Sequence, residues 1–488
     1  MAETSQTKRL LKHSTIYAAG NIARQLVGFL MLPIYTRFLT PADYGVVGLL
    51  TFAMSMMEPL FGARLGEAMP KYYFQEHDKT KQNSVISNAL IVTALISTVT
   101  IIILFTLRNQ TSKILFGTPN FELIIGLFGI QILTQAIEYY GMTYIRILQK
   151  PMLFIAASLS KLIVQLSLNI WLVVTLKLGV MGVVLSGVIS SSTYALLLAG
   201  FIVFKAGYHF DRELAKKMLG FSWPLWFVGL ALLYIYSGNR FYIRIFSSLD
   251  QVGLYELAAK FALILSSLVW MPFNQFWETE RFRYYEEGNR SLFSKAFKLI
   301  SITLIGIALC IGISAEPIIR LMAAPGFHDA YLAVPFLILG TILMCLNNFA
   351  NFSFMVTEKT SLISYISYAT MIIITAFNLV LIPKFGYVGA AGALALALLF
   401  QFLITLRVGR KHYDLGIEAG PVLVLLGACC AVFALSVFVF CSAELWKDIA
   451  LKMVLLALTI GAAVTILWKN PDTQPAMVTA LSRIKAKP

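Results

Sequence analysis

The chain alternates between long apolar stretches and short polar breaks from one end to the other. The stretches run to 18 or more residues, enough to cross a hydrocarbon layer of about 30 Å as α-helices. The pattern predicts fourteen spans, near 15–39, 44–69, 84–107, 121–145, 151–176, 179–205, 218–242, 252–277, 296–318, 330–356, 361–382, 387–408, 421–441 and 449–468. The breaks are short. The longest, about 278–295, reads as a basic loop and leaves no room for a soluble domain. The expected fold is an all-α integral membrane protein of about fourteen transmembrane helices.

One break shows what such a connection requires. Residues 39–43, LTPAD, join the first two spans. Thr40 or Asp43 can cap the incoming helix, and Pro41 suits its first turn. Asp43 is favoured there by the helix dipole, and Gly45 permits close packing against a neighbour.

The polar breaks also repeat. FLTPADYGVVGL (38–49) corresponds to FSSLDQVGLYEL (246–257), with Gly45 opposite Gly253. LKLGVMGVVLSG (176–187) corresponds to PKFGYVGAAGAL (383–394), with Gly179 and Gly182 opposite Gly386 and Gly389. The two offsets, 208 and 207, point to a duplicated unit of six spans. Six is even, so both copies cross the membrane in the same sense, and parallel repeats of this kind place a transport site between them. The expected division is an N-terminal lobe over 1–210, a C-terminal lobe over 211–415, and two additional helices with a basic tail over 416–488.

Composition agrees with the pattern. The chain is 58% hydrophobic and 13% charged, about half the charge of a soluble protein, and its mean hydropathy is +0.78. Its net charge of +15 could suggest nucleic acid, but the distribution argues against it. With the N-terminus inside, 25 Lys and Arg fall on the cytoplasmic side and nine on the outer side. That bias places both termini in the cytoplasm of a multi-pass protein of the inner membrane. The basic, polar start MAETSQTKRLLKHS is not expected to be a cleavable leader. Five cysteines lie in or at the end of spans without CxxC spacing and read as small buried residues.

Several chemistries lack their residues. There is no GxxxxGK[ST], no DxD, no HExxH and no GxSxG, so no built-in ATPase, metal site or catalytic residue is expected. Transport is favoured over catalysis, without a cofactor and driven by an ion gradient or the membrane potential.

Ionisable groups inside spans are costly and usually face a cavity or a partner. Arg24 shares a helical stripe with Tyr17, Asn21 and Gly28 in the first span, and Lys161 shares one with Ser158, Gln165 and Asn169 in the fifth. Neither has an opposite charge at helical spacing within its own span. Glu58 lies deep in the second span. Glu256 and Lys260 are spaced i, i+4 and read equally as a self-neutralising pair or as cavity groups. The expected cavity cations are Arg24 and Lys161, with Lys260 and Arg240 in second rank. Glu58 and Glu256 are candidates for ion coupling.

The run PIYTRFLTPADYGVVGL (33–49) closely resembles the start of bacterial polysaccharide-export flippases. These are the O-antigen and exopolysaccharide translocases of the multidrug/oligosaccharidyl-lipid/polysaccharide exporter superfamily. The likeness continues through KYYFQE (71–76), YIRILQKP (144–151) and KLGVMG (177–182). It implies two six-helix lobes around a central cavity. It also implies flipping of an undecaprenyl-pyrophosphate-linked oligosaccharide between leaflets by alternating access, for O-antigen, capsule or exopolysaccharide synthesis. A polysaccharide polymerase and chain-length machinery would be its partners, besides the bilayer. Arginine suits the pyrophosphate through bidentate charge-assisted hydrogen bonds. The alternatives are a cation-coupled multidrug exporter of the same superfamily and a membrane enzyme of glycan assembly.

Overall fold

The break between the first two spans folds as its residues dictate. The Thr40 backbone N–H donates to the Asp43 carboxylate at 3.0 Å, and the Asp43 N–H donates back to Thr40 Oγ1 at 3.1 Å. This reciprocal box satisfies two donors that a helix start leaves orphaned, and Pro41 occupies the position where no N–H is needed. Helix α1 (Leu32–Phe38) ends before it and α2 (Pro41–Phe61) starts from it.

The computed structural model describes residues 28–29, 31–61, 65–288, 290–439 and 444–469; for 58–61, 224–225, 227–228, 279, 290, 438, 445 and 460–469 it describes the backbone alone. Among these residues every regular element is helical. After α2 come α3 (Ala68–Gln75), α4 (Lys79–Thr106), α5 (Arg108–Phe116), α6 (Glu122–Ile147), α7 (Pro151–Asn169) and α8 (Gly179–Ala206). The second half holds α9 (Arg212–Ser237), α10 (Asn239–Phe246), α11 (Leu249–Leu265), α12 (Met271–Glu286), α13 (Arg290–Met322), α14 (Val334–Ala350), α15 (Phe352–Val356) and α16 (Ser361–His412). Helices α17 (Ala419–Phe438) and α18 (Leu445–Lys469) follow. Nine of the described helices are long and apolar enough to cross a membrane, and α16 holds two such segments on either side of a kink at Gly386. The protein is a multi-pass membrane protein. Its exposed side chains, such as Val99 and Ile102 on α4 or Ile372 and Val380 on α16, are those a bilayer would cover.

The seam between the halves is a crossing of α2 and α11. A Cβ on Gly45 would lie 2.1 Å from the Leu249 carbonyl oxygen, and one on Gly253 would lie 2.0 Å from that of Pro41. The contact is isologous, because Pro41 and Leu249 are themselves opposite one another at the offset of 208. Glycine is required on both sides for the backbones to meet. Ser248 caps α11 by accepting from the Gln251 N–H, as Thr40 caps α2, but the Gln251 side chain turns to accept from the Tyr387 N–H at 3.0 Å.

Backbone conformation repeats at matching positions. Gly179 and Gly386 have φ of +55° and +56°. A pair not apparent from sequence also recurs: Gln149 and Glu358 are non-glycine residues at φ of +53° and +55°. The junction near residue 210 is clamped to α4. Asn88 donates to the Asp211 carbonyl at 2.8 Å and accepts the Asp211 N–H at 3.0 Å.

Two expectations are corrected. The stretch 278–295 is not a loop, because α12 continues to Glu286 and α13 starts at Arg290. Arg283 braces that extension by pairing with Glu280 at 2.6 Å and Glu287 at 3.6 Å, one turn to either side. The last helix is also more than an addition. Lys452 on α18 is buried and pairs with Glu316 of α13 and, at 3.1 Å, with Asp448. Glu316 also takes Arg320 at 2.6 Å.

Candidate functional site

Four helices of the first half leave a cavity of about 540 Å3 between them. Thr51 and Ser55 come from α2, Gln131, Gln135 and Tyr139 from α6, and Gln165 from α7, while α8 contributes Val183, Val184 and Gly187. The spacing explains the convergence. Gln131, Gln135 and Tyr139 recur every four residues and so share one face of α6, and Thr51 and Ser55 do the same on α2. Leu50, Met54 and Phe128 make the remaining wall apolar.

Glycines seat two of the polar groups. A Cβ on Gly187 would lie 2.8 Å from Gln131 Nε2, and one on Gly66 would lie 2.1 Å from the Tyr139 ring. The described lining carries no charge. One turn away, the Lys161 ammonium of α7 donates to Glu138 of α6 at 2.5 Å, with both side chains about four-fifths buried. The pair closes the cavity's edge and cancels its own charge.

The predicted residues divide three ways. In the α7 stripe, Gln165 lines the cavity, Lys161 is held by Glu138, and Asn169 is buried, accepting a hydrogen bond from Ser186 at 2.7 Å. At the seam, Glu256 pairs with Arg240 of α10 rather than with Lys260. The Glu256 side chain fills the space that Gly48 leaves on α2, where a Cβ would lie 2.3 Å from its Cγ. Arg240 spends further donors on the Tyr236 and Ser237 carbonyls, at 3.2 and 3.4 Å, and lies over the Tyr255 ring. Lys260 is half-buried, with no ion-pair partner among the described residues. Arg24 and the Glu58 side chain lie outside the described residues, although the α2 backbone places Glu58 one turn beyond Ser55.

Three features escaped sequence reasoning. Glu138 was legible only as a charge flanking tyrosines, because its partner lies on another helix. Gln131 and Gln135 are uncharged, so nothing singled them out. The buried cluster of Glu316, Arg320, Asp448 and Lys452 had a signal, two i, i+4 pairs of opposite charge. No group of three His, Cys, Asp or Glu among the described residues could hold a metal ion.

The sequence matches the family model described as "Polysaccharide biosynthesis protein" over residues 10–276, more than half of its length and all of the cavity lining. The chain belongs to that family. No protein of curated function matches the chain. Among solved structures, the lipid II flippase MurJ in an inward closed conformation is similar at a TM-score of 0.72 and 12% identity, covering 94% of this chain and 99% of that one. An inward-facing multidrug resistance MATE family transporter of the MOP superfamily is similar at 0.63 and 14% identity, covering 84% and 95%. The MATE multidrug transporter DinF-BH is similar at 0.60 and 17% identity, covering 84% and 96%. At these identities the likeness establishes the family's fold, which is that of this chain.

Proposed function

We propose that the protein flips an undecaprenyl-pyrophosphate-linked oligosaccharide from the inner to the outer leaflet of the cytoplasmic membrane. The glycan would serve O-antigen, capsule or exopolysaccharide assembly. The observation that carries this reading is a cavity whose described lining, residues 47 to 187, holds amides and hydroxyls without a charge and falls inside the family-matched segment 10–276. A cationic drug would call for carboxylates on that lining, and the described residues supply amides, hydroxyls and a phenol instead.

In this reading the chain works as two lobes meeting at the α2–α11 seam, dividing near residue 210, with both termini cytoplasmic. The lobes rock to expose the cavity to each side in turn. The lipid's pyrophosphate is met first by Arg24 and Lys260. Lys161 and Arg240 rank behind them, since each must give up a carboxylate before it can meet a phosphate. Glu256 is a coupling group, because protonating it would release Arg240, and Glu58 is a second candidate by its place on α2. With no nucleotide-binding motif in the sequence, an ion gradient or the membrane potential drives the cycle. A polymerase and chain-length machinery would receive the product.

The test is complementation of a strain lacking the gene. Wild-type protein should restore surface glycan, and Arg24→Ala and Lys260→Ala should each strongly reduce it at unchanged protein level. Losing a charge-assisted contact costs about 1.5–3 kcal/mol, roughly ten- to a hundred-fold in affinity. Full export by both variants would refute the cationic assignment, and surface glycan unaffected by the deletion would refute the flippase reading.

A further inference from the structure

The cavity and the expected cations ask for different parts of a substrate. A pyrophosphate is a dense anion, yet the described lining holds no charge, and Lys161, one turn from Gln165, is occupied by Glu138 at 2.5 Å. What the lining does hold is three primary amides. The side chains of Gln131, Gln135 and Gln165 each carry two donors and an acceptor, and none of these three amides makes a hydrogen bond to another described residue. They come from two helices and converge on one space, whose volume of about 540 Å3 lies within the roughly 300–1,000 Å3 of ligand pockets.

A sugar ring matches this chemistry. Its hydroxyls donate and accept at once, as amides do, while its C–H faces are apolar. Tyr139 sets an aromatic ring at the cavity wall, seated against Gly66, with Leu50, Met54 and Phe128 completing an apolar surface. We infer that the cavity is a subsite for an uncharged sugar unit of the glycan. Gln131, Gln135 and Gln165 hydrogen-bond its hydroxyl or acetamido groups, and Tyr139 lies against a ring face. The inference rests on the flippase reading and deepens it. Sugar and pyrophosphate are recognised by different groups, the sugar by the amides of the first half and the phosphates by cations that the described lining does not include.

The experiment uses the full chain in nanodiscs with Ser55→Cys as a reporter of occupancy, because Ser55 lines the cavity. The rate at which a maleimide modifies the introduced thiol is followed by mass spectrometry against millimolar glucose, N-acetylglucosamine or inorganic pyrophosphate. At least one neutral sugar should slow the reaction in a saturable way, and pyrophosphate should not. Adding Gln135→Leu with Gln165→Leu should weaken that protection roughly tenfold, the effect of losing two ordinary hydrogen bonds. Gln165→Asn, which keeps the amide, should lose less. Protection by pyrophosphate and not by sugar would overturn the inference, as would sugar protection unchanged in the double variant or no protection by either probe. Any of these alongside normal complementation by the wild-type gene would sink the subsite and leave the flippase reading standing.

Discussion

The two halves share a backbone plan and differ in what fills it. At the offset of 208, Gln131 and Gln135 of α6 fall opposite Leu339 and Leu343 of α14. The first pair lines a cavity; Leu343 is fully buried, and Leu339 packs against the same core. Around α14 the second half is crowded with aromatics. Trp277 stacks on Phe349 with centroids 4.6 Å apart, Phe273 stacks on Trp277 at 5.7 Å, and Phe293 stacks on Phe352 at 5.5 Å. Duplication supplied one scaffold, and side-chain choice gave the first copy a cavity of about 540 Å3 with amides in its wall, whereas in the second copy Leu339 borders a smaller, apolar cavity of about 350 Å3 beside the aromatic cluster.

The largest effects should come from the buried charges and aromatics around α13, α14 and α18. Lys452→Met leaves Glu316 and Asp448 buried with one cation fewer, and breaking a fully buried pair costs about 3–5 kcal/mol. A charge change in the first half, Lys161→Met, should cost less, about 1 kcal/mol, because each side chain of that pair keeps about a fifth of its surface exposed. Denaturant unfolding in detergent compares the two, and equal losses would erase the contrast. Trp277→Ala should remove about 3–5 kcal/mol by opening a cavity under Phe349 and Phe293.

Gly253→Ala tests the seam. Its new methyl would meet the Pro41 carbonyl, so a loss of about 1–3 kcal/mol is expected, with a lower thermal midpoint. Wild-type stability would show that the two helices do not need to touch. The smallest effect on stability, within about 0.5 kcal/mol, is expected for Gln135→Leu in the cavity wall. The same substitution should clearly reduce glycan export, which separates a binding role from a packing one.

How much of this was legible in the sequence depends on distance along the chain. The Thr40–Asp43 box could be read because capping is settled within four residues, and the meeting of Gly45 with Gly253 follows from a repeat that places both on one axis. Ion pairs were misjudged for the opposite reason. The i, i+4 rule compares residues on one helix, so it offered only Lys260 as a partner for Glu256, whereas Arg240 reaches Glu256 from the preceding helix. It also left Lys161 alone, although Glu138 stands beside it on α6. Gln131 and Gln135 were invisible because an amide in a span costs little enough to need no explanation, and only the packing of four helices makes a site of them with Gln165.

The central claim is that this protein carries a lipid-linked glycan across the bilayer using the amide-lined cavity of its first half. Its most direct test is flipping by the purified full chain in proteoliposomes, measured as the fraction of an undecaprenyl-pyrophosphate-linked oligosaccharide that becomes accessible to an external glycosidase. Wild-type protein should expose the substrate without ATP once an ion gradient or a membrane potential is imposed. Gln135→Leu with Gln165→Leu should expose it several-fold more slowly, and Lys452→Arg, which keeps the buried positive charge beside Glu316, close to the wild-type rate. Exposure that requires ATP, or a rate unchanged by the two cavity substitutions, would contradict the account.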